Sequence, residues 1–538
     1  MKELCLVCLI AGFFVAEDQR SSFLSQGLTL LQKGEYKEAL ALLRRAVEEH
    51  PLSEEAHNYY GFALGRTGGL SEAIEEFNKA LKLNPRYPEA LYNLGAALNV
   101  EGQYTTAVHN LQAALSLQPN FPEAEKELGF ALTQTGDLAG AIQALRRATR
   151  QRPNMVTAYN ELGLLYARTG DQEQALRQFR QAVTADPKSA ESHSNFGVAL
   201  HQNGDLQGAI SEFQQALSIN PRFVEGLKNL AQAMRDKGDL KAAIVYYRQV
   251  VSLQPESGMA HADLGFTLKR NSQLKEALEE LRRAVSLSPE LARAHFHLAE
   301  TLTQIGEDDA ALPEYEAAAR LSPKDVEFRV KYGTALAKTR PQDAVGQLRQ
   351  AIALDPNNYV ARQALGMVLR RNGDLEGSAF EFQRATELSA AADKHAEAVL
   401  RTNKGIEYLK KSDFSQAIQA LRSALVAEPG FAEAHHYLGI AYSATGKRGE
   451  ANREFKEALQ SRPSDSEIHF NYGVALGRQG EWHEAIREFT AVITIRPSHP
   501  QAHCWLASSL SHIGDNERSK SELEQARELG PCELGAFR

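Results

Sequence analysis

Prolines recur through this chain at a fixed interval: Pro51, Pro85, Pro119, Pro153, Pro187, Pro221, Pro255, Pro289 and Pro323 each stand 34 residues beyond the one before. A strict period of this length belongs to solenoids, in which each unit is one small motif that buries its apolar face only by stacking on its neighbours. After a slip of one residue comes Pro356, and the interval returns at Pro429, Pro463, Pro497 and Pro531. In a chain of 538 residues, length therefore counts units rather than independent domains.

The residues between two prolines predict a helical hairpin. In the unit from Glu54 to Tyr87, Ala56, Tyr60, Gly61, Ala63 and Leu64 recur at three- and four-residue intervals, on one face of a first helix. Gly68 and Gly69 end it, because glycine readily takes the left-handed conformation that follows a helix C-terminus. Ala73, Ile74, Phe77, Ala80, Leu81 and Leu83 form the stripe of a second helix. Asn84-Pro85 stops that helix, since proline disfavours helical geometry in the residue before it. Small residues mark the middle of every first helix: Gly27, Gly61, Gly95, Gly129, Gly163, Gly197, Gly265, Gly333, Gly366, Gly405, Gly439 and Gly473, with Ala231, Ala299 and Ala507 in the other three units. Mid-helix glycine costs about 1 kcal/mol against alanine, so its recurrence implies a steric requirement, the close approach of the partner helix. Ala39, Ala73, Ala107, Ala141, Ala175 and Ala209 serve the same contact from the second helix.

The units ALYNLGAAL…YTTAVHNLQAALSLQP and IHFNYGVAL…WHEAIREFTAVITIRP resemble the tetratricopeptide repeat family in their order of large apolar residue, Leu/Tyr-Gly, Ala, aromatic or Leu, Ala and Pro. Fifteen such units cover Arg20 to Glu533. The resemblance implies an all-α fold, a right-handed superhelical solenoid of antiparallel helix pairs, whose shared role is to offer a concave surface to peptides and protein partners. It implies no common catalytic chemistry.

Three departures from the pattern set the organisation. Between Lys338 and Asp343 the inter-helix turn loses a residue and gains Pro341; the eleventh unit, from Tyr359, lacks its closing proline; and about five extra residues follow within Ala390 to Glu397. No Gly or Pro occurs between Ser378 and Lys404, which predicts an extended helix there. The array is accordingly divided into eleven repeats over 20–392, an inserted helical joint at 393–397, four repeats over 398–533 and a tail at 534–538.

Composition excludes several functions. With 60 basic residues against 68 acidic ones and a net charge of −8, nucleic acid is not an expected partner, because phosphate binding needs clustered, uncompensated Lys and Arg. No Gly-rich phosphate loop, HExxH helix or nucleophile elbow is present, so neither catalytic residues nor a small-molecule substrate are expected, and no cofactor. His57, His193, His261, His295, His435, His469 and His503 all stand four residues before the small mid-helix residue, which reads as imidazoles packed between the paired helices. His295 with His297, or His499 with His503 and Cys504, lack an obvious fourth ligand for a closed zinc site, so no metal is expected. Carboxylate pairs such as Glu75-Glu76 and Glu279-Glu280 read as the solvated face of second helices.

Function is left to the groove lined by first helices. Asn93, Asn195, Asn229, Asn403 and Asn471 stand two residues before the small residue. The family resemblance implies that such asparagines hydrogen-bond the backbone of an extended peptide, and an amide carries both the donors and the acceptor to do so. Arg235, Lys269, Arg270, Lys338, Arg370, Arg371 and Lys410 lie near the C-terminal ends of first helices, while Glu55, Glu89, Glu123, Glu191 and Glu225 lie near the opposite ends in earlier units. Helix-end electrostatics favours this distribution, but the doublets Lys269-Arg270 and Arg370-Arg371 exceed it and point to an acidic peptide. The function expected is a non-enzymatic scaffold or adaptor for extended peptides or partner proteins. The alternative is a targeting or regulatory subunit of a separate enzyme, such as a glycosyltransferase.

The first sixteen residues, MKELCLVCLIAGFFVA, resemble a secretory signal: a minimal basic start, an apolar stretch too short to span a membrane, and Ala16 before Glu17 as a cleavage site. The expected location is periplasmic or extracellular, with an uncleaved membrane anchor or a cytoplasmic protein with a helical cap as alternatives. Cys5 and Cys8 fall within this segment, which leaves Cys504 and Cys532 in the last repeat, where antiparallel packing permits a disulfide in an oxidising compartment. N-terminal sequencing of native protein checks the export reading: the expected chain starts after Ala16, and intact Met1 on soluble cytoplasmic protein would refute it.

Overall fold

A computed structural model of the protein describes residues 22–530, so the leader at 1–16, Cys532 and the tail at 534–538 lie outside the described residues. Among the described residues there are 29 α-helices, from α1 (Ser22–Lys33) to α29 (Asn516–Leu529), and no strand. Fifteen hairpins would use one helix more. The difference arises because the second helix of the eleventh unit and the first of the twelfth are fused in α22 (Leu375–Lys410), a helix of 36 residues and therefore about 54 Å long. The stretch without Gly or Pro is thus the extended helix it predicts, and the extra residues are absorbed as further helical turns.

The helices form two compact units, one ending at Glu307 and the other starting at Asp308. Each is a stack of hairpins. In the first, the first helices of successive hairpins touch: α3 (Glu54–Thr67) meets α5 (Pro88–Glu101), α5 meets α7 (Pro122–Thr135), and α15 (Gly258–Arg270) meets α17 (Ala292–Gln304). In the second, α22 meets α24 (Ala432–Ala444), which meets α26 (Ser466–Gln479). First helices therefore make the inner row of each stack and second helices the outer one.

Local chemistry explains where the helices start and stop. Gly68 ends α3 at φ 101°, and Asn84, ahead of Pro85, is extended at φ −133°, ψ 93°. The Asp137 carboxylate accepts the Gly140 N–H at 2.9 Å and caps α8 (Leu138–Gln151), the second helix of the hairpin that α7 begins. Ser272 and Ser412 take the left-handed position at φ 61° and 57° without being glycine, at a cost of about 1–2 kcal/mol each. In the tenth unit the shortened turn leaves α19 (Val326–Leu336) only 11 residues long, and Pro341 opens α20 (Pro341–Leu354) in its first turn, where a missing N–H costs nothing.

The mid-helix glycines meet the obstacle that their recurrence implies. A Cβ on Gly163 in α9 (Val156–Arg168) would sit 2.7 Å from Cε1 and 2.9 Å from Cδ1 of Phe179 on α10 (Gln172–Ala185). At Gly95 it would sit 2.6 Å from Cγ of Leu111. The bulky residue follows its glycine by one recurring step, shortened by a residue at Gly333 and Leu348 where the turn is shorter, so the contact repeats with the sequence.

A second recurring contact is polar. In six units the histidine four residues before the small residue uses both ring nitrogens. Nδ1 lies 2.5 Å from the Glu76 carboxylate at His57, and 2.6 Å from the matching carboxylate at His193, His261, His435, His469 and His503, namely Glu212, Glu280, Glu454, Glu488 and Glu522. Nε2 lies 2.8–3.1 Å from the carbonyl of the unit-closing proline, Pro51, Pro187, Pro255, Pro429, Pro463 or Pro497. His295 makes the same carbonyl contact to Pro289 at 3.0 Å. The reading of these rings as merely packed is corrected: they staple first helix, second helix and preceding loop together. The carboxylate pairs are corrected with them, since Glu75 is exposed but Glu76 is buried and Glu280 turns inward to His261.

Two substitutions test the backbone account. Gly163→Ala gains about 1 kcal/mol of helix propensity but overpacks the ring contact by about 1–3 kcal/mol, so a net loss of up to about 2 kcal/mol is expected in denaturant melts. Ser412→Gly relieves left-handed strain of about 1–2 kcal/mol against about 0.4–1 kcal/mol of added unfolded-state entropy, and a gain of roughly 1 kcal/mol is expected.

Candidate protein-binding surface

The position two residues before the small residue lies on the inner row, and asparagine there does more than face solvent. Asn93 is buried, and its Nδ2 donates to Asn58 Oδ1 at 2.9 Å; Asn229 Nδ2 donates to Ser194 Oγ at 3.1 Å, and Asn471 Nδ2 to His436 Nε2 at 3.0 Å. Each acceptor lies 35 residues earlier, on the first helix of the preceding hairpin. Three of the five asparagines thus spend one donor on a neighbouring repeat, which leaves each a second N–H and an oxygen. Asn195 is half-buried and Asn403 exposed.

Two units place glutamate at this position, Glu127 and Glu161, which the sequence reading passed over although both stand two residues before a glycine. Lys126 Nζ lies 2.6 Å from Glu127 and 3.9 Å from Glu161, and Asn99 Nδ2 donates to the Glu127 carbonyl at 3.1 Å and carboxylate at 3.0 Å. One Glu161 oxygen is shut from solvent without a partner. Burial pushes the Glu161 carboxyl up to about 7, against the pull of Lys126 and with Glu127 and Glu191 adding to the rise.

The predicted basic residues divide between the two compact units. In the first, three of them converge on Phe266. Arg235, on α13 (Val224–Lys237), has its guanidinium 5.2 Å from the ring centroid, Lys269 Nζ lies at 5.5 Å and the Arg270 guanidinium at 5.9 Å. His297 of α17 stacks on the same ring at 4.4 Å. Lys269 is ion-paired with Glu300, while Arg270 is exposed. Burial raises the Asp263 carboxyl, with Arg235, Lys228 and His297 pulling it down. Burial likewise lowers the His297 imidazole, against the hydrogen bond to Glu300 that raises it. In the second unit Lys338 pairs with Asp308 at 3.0 Å, and Arg370, Arg371 and Lys410 are exposed at helix C-termini. Of the acidic residues at the opposite helix ends, Glu123 is buried and paired with Arg152.

The two histidine groups weighed as metal ligands have other roles. His499 Nδ1 accepts the Ala502 N–H at 3.1 Å as a helix cap, and His503 is a staple. Among the described residues no group of three or more His, Cys, Asp or Glu side chains is placed to hold a metal ion. Cys504 is buried and disulfide-bonded, while Cys532 lies outside the described residues. Among the described residues no helix is long and apolar enough to cross a membrane.

Stacked helical hairpins with a polar inner row define the repeat-scaffold class. A tetratricopeptide repeat model matches residues 24–78, 160–222, 334–395, 402–446 and 438–500; further models of the repeat match 66–99 and 129–170 and 226–356. The chain belongs to the tetratricopeptide repeat family, whose members are generally non-catalytic scaffolds for protein partners. Solved structures similar to it include Pseudomonas aeruginosa pilF, 24% identical over 40% of this chain and 97% of that one at a TM-score of 0.36. Another is YrrB, a TPR protein with an unusual peptide-binding site, 24% identical over 34% of this chain and 95% of that one at 0.30. Cut9–Hcn1 of the APC/C is 16% identical over 85% of this chain and 97% of that one, at 0.34. A comparison with curated proteins finds no match.

Glu161 gives this surface a charge that changes near neutrality. Its raised folded value means that ionisation opposes folding as pH rises from the unfolded carboxylate range to about 7. Glu161→Gln is therefore expected to stabilise the protein above pH 7 more than at pH 5, as read from thermal melts at the two pH values.

Proposed function

We propose that the chain is a non-enzymatic scaffold that holds an extended segment of a partner protein along the inner row of first helices, and that this segment is acidic where it crosses α13, α15 and α17. The observation that carries the reading is the convergence on Phe266. Arg235, Lys269 and Arg270 gather around one half-buried ring, and Glu300 pairs with Lys269. Such a surface offers apolar contact and cationic partners side by side, and the exposed Arg270 guanidinium can grip a carboxylate with two parallel hydrogen bonds. The second N–H and the oxygen of Asn229 suit the backbone of the same segment. Read as a signal, the leader at 1–16 would place this surface outside the cytoplasm, in the periplasm or beyond the cell.

Affinity capture followed by sequencing of the bound segments tests the proposal. Recurrent acidic segments are expected, bound more weakly as salt rises because exposed charges are screened. Arg270→Ala is expected to weaken binding about two- to fivefold, the value of one exposed ion pair, and to flatten the salt dependence, whereas Asn195→Ala should change it less. Unaltered affinity and salt dependence in Arg270→Ala would contradict the acidic segment, and capture of one recurrent enzyme would favour a targeting subunit instead.

A further inference from the structure

We infer that His435 and His469 staple their hairpins only with a proton on the pair each forms with glutamate, so that hairpins α24–α25 (Arg448–Ser461) and α26–α27 (Trp482–Ile495) are proton-linked elements of the scaffold. The argument is one of donors and acceptors. His435 Nε2 lies 2.8 Å from the Pro429 carbonyl, which has no proton to give, so this nitrogen carries the hydrogen. Nδ1 lies 2.6 Å from the Glu454 carboxylate, and a contact that short between two acceptors holds a second proton. His469 repeats the geometry with Pro463 at 3.0 Å and Glu488 at 2.6 Å. Whether the second proton rests on nitrogen or oxygen, each pair holds one more proton than a neutral imidazole and a carboxylate held apart.

Two internal comparisons support the count. At the same register position Arg362 donates to the Pro356 carbonyl at 3.0 and 3.2 Å and to Glu381, 19 residues on, at 2.8 Å. Arg329 donates to the Pro323 carbonyl at 2.7 Å. Arginine has only donors and never loses its charge, so the site is built for a group that donates in both directions. His436, next to His435, is the opposite case: its Nε2 accepts from Asn471, and burial pushes it down to about 4.

The charged groups that face the two staples reinforce the proton. Glu454 and Glu457 of α25 face His435; Glu488 of α27 and Asp465 at the N-cap of α26 face His469. Asp465 itself pairs with Arg462 at 3.8 Å. Burial opposes the charged His435 ring but is outweighed by Glu454 and the Pro429 carbonyl, and the Glu488 hydrogen bond raises His469 against burial. A folded value above the unfolded one gives stabilisation that is complete below about pH 6.5 and is lost as pH rises through the folded value.

The test uses the full chain and two double variants. Ring ¹⁵N spectra of histidine-labelled protein are expected to show His435 and His469 titrating above the unfolded value. In thermal melts, His435→Gln with His469→Gln should lower the midpoint more at pH 6.5 than at pH 9, because the raised folded values lose their stabilisation as pH rises. His435→Arg with His469→Arg should hold the pH 6.5 midpoint and exceed the wild type at pH 9. Rings that titrate at or below the unfolded value, or a glutamine penalty equal at both pH values, would overturn the inference; the spectra decide if the arginine pair does not fold.

Discussion

Gly163 lies against the ring of Phe179 at a distance that no Cβ could share, and the same meeting of a small residue with a bulky one closes hairpin after hairpin. Everything else depends on that approach. It brings the histidine of the first helix within hydrogen-bonding distance of the glutamate on the second, and it leaves the opposite flank of each first helix free to meet its counterpart in the next hairpin. The inner row, which carries the asparagines and the cluster around Phe266, is thus a consequence of steric economy between paired helices.

Much of this could be read from the residues because it repeats. The proline interval, the glycine positions and the absence of helix breakers after Ser378 are properties of the chain alone, and α22 follows from the last of them. Arg235 and Lys269 stand one period apart, so their alignment along the first helices is legible, whereas their meeting over the Phe266 ring emerges only from the geometry. The polar contacts were harder to see. The fixed step from histidine to glutamate is present in the sequence, but only the geometry shows that both ring nitrogens are engaged. The Asn93–Asn58 contact joins successive repeats, and no pattern within a single unit reveals it.

The inner row is consequently less open than a sequence inventory suggests. Asn93 is partly committed to the fold, Lys269 to Glu300, and Glu127 to Lys126 and Asn99. Committed side chains hold their neighbours in place, which is how a groove becomes preorganised, and the exposed Arg270 and half-buried Asn195 retain freedom to meet a ligand. This division between positioning and contacting groups agrees with a scaffold that grips an extended segment at a few points along its length.

Hydrogen–deuterium exchange of the full chain, with and without a captured partner segment, tests the central claim most directly, that partners bind along the inner row. The account predicts added protection in α13, α15 and α17, with little change in α14 (Leu240–Leu253) and α16 (Leu274–Leu287) of the outer row. Protection confined to those second helices would contradict it.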